Sequence, residues 1–147
     1  MGLRETWRIV GDYTLTVEDY FARRSFPDEI GRNCYYLDVH LTKEEREKVL
    51  RGESNGEEGF ERYGPGESHG LPRGILTVKD AENLLAAGRN VSADHRIQGS
   101  VRVMPVCFVM GQAAGVIAAL TKKGQTVRDP DTGVLRETLR KDGAWFN

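Results

Sequence analysis

Two groups of residues have types and spacing that suit chemistry, and a third has the residue type without the spacing. The first is Asp38 with His40 in "CYYLDVHL", residues 34–41. Two positions apart on an extended strand, they share a face, where the carboxylate would raise the histidine pKa and orient the ring for proton transfer. A surface or hydrogen-bonded structural pair fits the same spacing. The second is Arg102 at the mouth of "VMPVCFVMGQAAGVIAAL", 103–120, which runs for 18 residues without a charge. Pro105 suits the first turn of a helix, whose free N–H groups and partial positive charge favour an anionic ligand atom; Arg102 adds a full charge. A well-packed core helix with no ligand is the competing reading. The third is the pair Cys34 and Cys107, too far apart for a C-x-x-C or metal cluster and short of the roughly four thiolates an iron–sulfur centre needs. Cys107 is expected as a buried core thiol, Tyr35 and Tyr36 as packing residues, and His69, in a glycine-rich stretch, as solvated.

These groups need elements to hold them. The 147 residues suit one domain, and 29% charged residues with a net charge of -1 argue against a nucleic-acid binder. The opening "MGLRETWRIVGDY" has no apolar export region, so a cytoplasmic protein with reduced thiols is expected. The apolar run is at the lower margin of a membrane span, but Pro105, Gln112 and the six Gly or Ala residues within 111–119 lower its hydrophobicity. A helix buried on all sides is expected instead, ending near Gly124 after Lys122 and Lys123. Strands are expected over 4–15, 34–41 and 83–89. Short helices should follow Thr16 and Thr42, and a last one starts at Asp131 or Thr132 with Val134, Leu135 and Leu139 inward. The polar section 42–70 ends in what reads as a long exposed loop. The fold class is mixed α/β (α+β): a small sheet with one buried Gly/Ala-rich helix.

"ENLLAAGRNVSADHRIQGSVRVMPVCFVMGQAAGVIAAL", 82–120, resembles the C-terminal signature of a family of FAD-dependent oxidoreductases, flavoproteins distantly similar to the fumarate reductase and glutathione reductase groups. The matching positions are Asn83 to Arg89, Ser92-Ala93, His95, Ser100, Arg102 to Met104, Cys107 and Gly111 to Gly115. "RETWRIVGDYTLT", "YYLDVH" and "GLPRGIL" are similar to further segments of the same family. In the last, Arg73-Gly74 stand where the family shows an aromatic and then Arg.

The resemblance implies the C-terminal part of a two-domain, Rossmann-like FAD protein. Residues 1–82 would be substrate-domain strands carrying the polar insert, and 83–147 part of the FAD domain. Gly88, Arg89 and Asn90 would pass the ribityl and pyrophosphate part of FAD. Ser100, Arg102, Val103, Met104 and Gly111 would lie near the flavin ring, with the apolar helix aimed at its pyrimidine edge. The reaction would be hydride transfer from a small organic substrate to flavin, with His40 or His95 as proton acceptor. The glycine fingerprint G-x-G-x-x-G is not found; "GPGESHG", 64–70, has the wrong spacing and a proline. The chain is therefore expected to need an FAD-binding partner subunit or a homo-oligomer, and to be inactive alone. A separate subunit, a truncated gene product and an expressed fragment all fit. The alternative function is a non-catalytic remnant or interaction module without an independent FAD site. No nucleic acid, membrane or metal is expected.

Overall fold

The computed structural model describes residues 7–39, 43–53 and 62–146. Its helices are α1 (Val17–Phe21), α2 (Lys43–Leu50), α3 (His95–Val101), α4 (Met104–Leu120) and α5 (Thr132–Lys141). Its ladder is β1 (Glu29–Asn33) paired antiparallel with β2 (His69–Pro72), followed by a 3-10 turn over Arg73–Ile75. The architecture is thus mixed α/β with a small two-stranded sheet and several helices. No single helix among the described residues is long and apolar enough to cross a membrane.

Short polar side chains open α3 and α5. Asp131 Oδ1 accepts from Val134 N at 2.9 Å, opening α5. Leu135 and Leu139, four residues apart, are buried, whereas Val134 falls on the outer face and is 50% exposed. Asp94 opens α3, a helix with no counterpart among the elements expected from the sequence. Its Oδ1 accepts from Ile97 N at 2.8 Å, and its Oδ2 accepts from Val17 N at 2.6 Å in the first turn of α1. One carboxylate therefore satisfies the ends of two helices.

The expectation of an apolar helix buried on all sides is corrected. In α4 the buried side chains are Val106, Met110, Ala113 and Ile117, a single stripe at helical spacing. The opposite face, with Met104, Phe108, Gly111, Gln112, Gly115 and Ala119, is exposed. Gly111 and Gly115 have open space where a side chain would stand. The helix also stops at Leu120, before Gly124: Thr121 is extended, and its hydroxyl donates to the Ile117 carbonyl at 2.8 Å.

The expected strands 4–15, 34–41 and 83–89 form no ladder among their described residues. Where described, the first threads between two neighbours. Ile9 N and Leu15 N donate to the carbonyls of Asn90 and Ser92, while Tyr13 N donates to Gly74 on the other side. Single bridges result, Gly11 with Val78 and Leu15 with Ala93, and another joins Thr77 to Leu85. Extended backbone is present, but no partner stays beside it for long enough to build a sheet. Residues 34–39 are irregular because they wrap the end of α3. Among the described residues the one ladder lies instead in Glu29–Asn33 and His69–Pro72, the second of which overlaps the section expected as an exposed loop. Both strands are wholly buried, and α4 and α5 pack on β1. Inside the pair, Arg32 and Glu29 form an ion pair at 2.8 Å with both side chains nearly inaccessible.

Candidate functional site

The residues singled out around 88–104 converge on the elbow where α3 meets α4 at 89°. Gly99 lets residues 34–39 close on α3 beside the elbow: a Cβ there would stand 2.7 Å from the Asp38 carbonyl oxygen. Ser100, buried, donates to the Tyr35 carbonyl at 2.6 Å and accepts from Asn33 Nδ2 at 2.8 Å. Arg102, almost buried, donates through Nη2 to the Asp38 carbonyl at 2.8 Å, with the Asp38 carboxylate 3.5 Å away. Asp38 therefore faces Arg102. Its expected companion, His40, lies outside the described residues.

Gly88 takes a φ of +98°, a left-handed conformation that glycine adopts without strain, and packs toward Cys107 of α4. Arg89 Nε reaches the Arg102 carbonyl at 3.4 Å. Asn90 is exposed, and its carbonyl accepts from Ile9 N. Val103, at the N-cap of α4, supplies no side-chain acceptor, Pro105 sits in the first turn, and Met104 is 68% exposed. With no side-chain cap among the described residues, the N-terminus of α4 keeps its free N–H character. By contrast, carboxylates of Asp94 and Asp131 occupy the starts of α3 and α5. His95, the first residue of α3, is exposed. Cys107, expected as a buried core thiol, is half-buried at the edge of the core, and its burial raises the thiol pKa, opposed by Arg89, so it is not an activated cysteine.

Beside the elbow lies a groove of about 360 Å³. One wall is aliphatic: Val103, Pro105, Val106 and Val109. The other is aromatic: Tyr35 and Tyr36, stacked at 4.5 Å, with Tyr63 beyond them. The Arg62 guanidinium lies 4.6 Å from the centre of the Tyr36 ring. A hydrogen bond to Tyr36 holds the Tyr35 pKa above its usual value. These tyrosines, expected only as packing, line open space. Arg62 and Tyr63 were not singled out from sequence; a cation beside an aromatic in "RYGPG", inside the polar section, is the signal that marks them.

Tyr63 connects the groove to a buried histidine. His69, expected as solvated, is fully buried on β2, with Nδ1 2.9 Å from the Tyr63 hydroxyl. The same hydroxyl donates to the Tyr20 carbonyl at 2.7 Å. A phenol has one proton, so His69 Nδ1 is the donor in the first contact and Nε2 carries a bare lone pair. Burial, helped by the Arg32 charge, pushes the His69 pKa down to about 4. Arg73, in the "GLPRGIL" segment, is engaged by the main-chain carbonyls of Arg128 and Pro130. No cluster of three or more metal-ligating side chains occurs among the described residues.

No curated protein and no solved structure shows significant similarity to the chain. A family model described as FAD dependent oxidoreductase matches residues 1–139. That match spans the bridging segments, the groove walls, the elbow and α4 together, and the chain belongs to the FAD dependent oxidoreductase family.

Proposed function

We propose that this chain supplies the flavin-ring side of an FAD site in an oxidoreductase that takes hydride from a small organic substrate. The observation that carries the reading is the uncapped N-terminus of α4 at Val103–Met104, with Gly88 and Arg89 folded against the same elbow. The donor set suits the ring: free N–H groups at a helix end favour an edge that becomes negative on reduction. It does not suit the pyrophosphate, because the starts of α3 and α5 are held by carboxylates and the sequence has no G-x-G-x-x-G.

When bound, the flavin supplies the hydride acceptor. In this reading Gly88, Arg89 and Asn90 pass the ribityl chain, and Ser100 and Arg102 fix the elbow. Val103, Met104 and Gly111 present the helix to the ring. His95, or His40, takes the substrate proton. The phosphate-binding turn would come from a further polypeptide segment, a partner subunit or a second copy. Residues 83–147 would then complete a Rossmann-like FAD domain and 1–82 a substrate domain, in the cytoplasm.

Titration of the chain with riboflavin and with FAD, followed by visible absorbance and fluorescence quenching, tests this. Binding of both with similar affinity is expected, since only the ring is gripped. No binding of either would overturn the flavin reading; FAD binding far tighter than riboflavin would overturn the half-site. The exposed face of α4 favours a second reading, a non-catalytic interaction module, which predicts assembly with no effect of flavin.

A further inference from the structure

The groove beside the elbow has a chemistry of its own, and the inference drawn from it rests on the flavin reading. Gly88 and Cys107 lie on one flank of α4, and Pro105 and Val109 lie on the other. With the ribityl chain along the Gly88 flank and the ring at the Val103–Met104 end, the groove, which Val103 also lines, opens beside the ring and stays free to take a substrate. Its volume of about 360 Å³ falls within the range of small-molecule sites, roughly 300–1,000 Å³.

The polar groups of its floor are already engaged. Asn33 Nδ2 donates to Ser100 Oγ, and Asn33 Oδ1 accepts from Tyr35 N at 2.9 Å. All three guanidinium nitrogens of Arg32 are held, by Ser68, Ser25 and Glu29. A ligand lying on this floor meets polar groups that already have partners within the protein, between an aliphatic and an aromatic wall. A polyhydroxylated ligand would recover there only part of the hydrogen bonds it loses with its water. A flat ring would lose little and gain stacking on Tyr36. Positive charge stands at the groove on Arg62.

We propose that the groove receives the substrate and that this substrate is a flat, weakly polar ring bearing an anionic substituent directed to Arg62, not a sugar or polyol. The tyrosine pair and the Val103–Val109 wall select its ring, and Arg62 selects its charge.

The test uses the 147-residue chain and ligand-observed saturation-transfer NMR with benzoate, benzyl alcohol and glucose as probes. Benzoate should bind, benzyl alcohol more weakly, and glucose not at all. Arg62→Gln, an exposed position whose loss leaves the core intact, should bring benzoate down to the affinity of benzyl alcohol. Tyr36→Ala should weaken both ring probes by roughly three- to tenfold. Excess riboflavin should leave bound benzoate in place. Glucose binding as well as benzoate would overturn the proposal, as would benzoate binding indifferent to both variants. Displacement of benzoate by riboflavin would also overturn it, by giving the groove to the flavin. Failure of riboflavin to bind, with benzoate binding still sensitive to both variants, would sink the cofactor reading and leave the ring-selective groove standing.

Discussion

The Nδ1 atom of His69 and the hydroxyl of Tyr63 lie 2.9 Å apart, and His69 Nε2 has no hydrogen-bond partner among the described residues. The ring sits among Tyr20, Tyr63, Arg32 and Asp19, sealed from solvent. A proton added at Nε2 would therefore be buried near the Arg32 cation with no acceptor beside it.

Stability should consequently fall in acid, in a defined window. The folded-state pKa of His69, about 4, lies below its ordinary value of 6.5. Between the two, the unfolded chain binds more protons than the folded one. The stabilisation is fully present above pH 6.5 and is lost as pH falls toward 4. The shift corresponds to about 3 kcal/mol. Urea unfolding at stepped pH should show this slope, and His69→Gln should flatten it between pH 6.5 and 4. An unchanged slope in the variant would assign the acid sensitivity to other groups.

Asp94 should matter for stability more than an exposed helix cap ordinarily does. Its two oxygens serve Ile97 N and Val17 N, so Asp94→Ala removes acceptors from α1 and α3 together. At about 1 kcal/mol for each cap, the loss should approach ~2 kcal/mol. Asn keeps one acceptor oxygen and should recover part of it. Denaturant midpoints of the two variants check the order.

How much of this was legible in the sequence depended on range. Thr16 before α1, the charged α2 run and Asp131 before α5 were readable because caps and helical spacing are local. The matched run 82–120 was readable because its residues are specific in themselves. The strands were not, because Ile9, Tyr13 and Leu15 find their partners near 74 and 90–93, and no local pattern says which partner stays. His69 looked solvated because its neighbours are Gly, Ser and Glu, whereas pairing with Asn33 across the ladder buries it. The family motif named the residues of the elbow but not the helix α3 that forms it, and the groove was not legible at all, since Tyr35, Arg62 and Val109 meet only in the fold. The exposed face of α4 was likewise hidden: apolar composition gives no direction to a face until the packed stripe is known.

Arg102 is expected to act as an anchor for residues 34–39. Its guanidinium is the donor to the Asp38 carbonyl, so Arg102→Leu would leave that carbonyl and the nearby carboxylate without it. A penalty of about 1–3 kcal/mol is expected, with faster amide exchange in 34–39. Arg102→Lys should restore part of the protection. Exchange unchanged in that segment would refute the anchoring role.

Two glycines in adjoining helices should respond to alanine in opposite ways. Gly99→Ala drives a Cβ to 2.7 Å from the Asp38 carbonyl oxygen, so either α3 or the 34–39 segment must shift, at a cost of about 1–3 kcal/mol. Gly115→Ala meets nothing within 4 Å on the exposed face of α4, and it replaces a poor helix former with a good one. The isolated chain should gain up to about 1 kcal/mol. If that face serves as a close-packed surface for a further segment, a larger residue at the same position should block it. Gly115→Leu should then leave thermal stability of the chain near the wild-type value while abolishing self-association in sedimentation velocity, or the recovery of tight FAD binding with a partner chain. Assembly and FAD recovery both unaffected by Gly115→Leu would mean that the face stays in water and that the small residues of α4 answer to no partner.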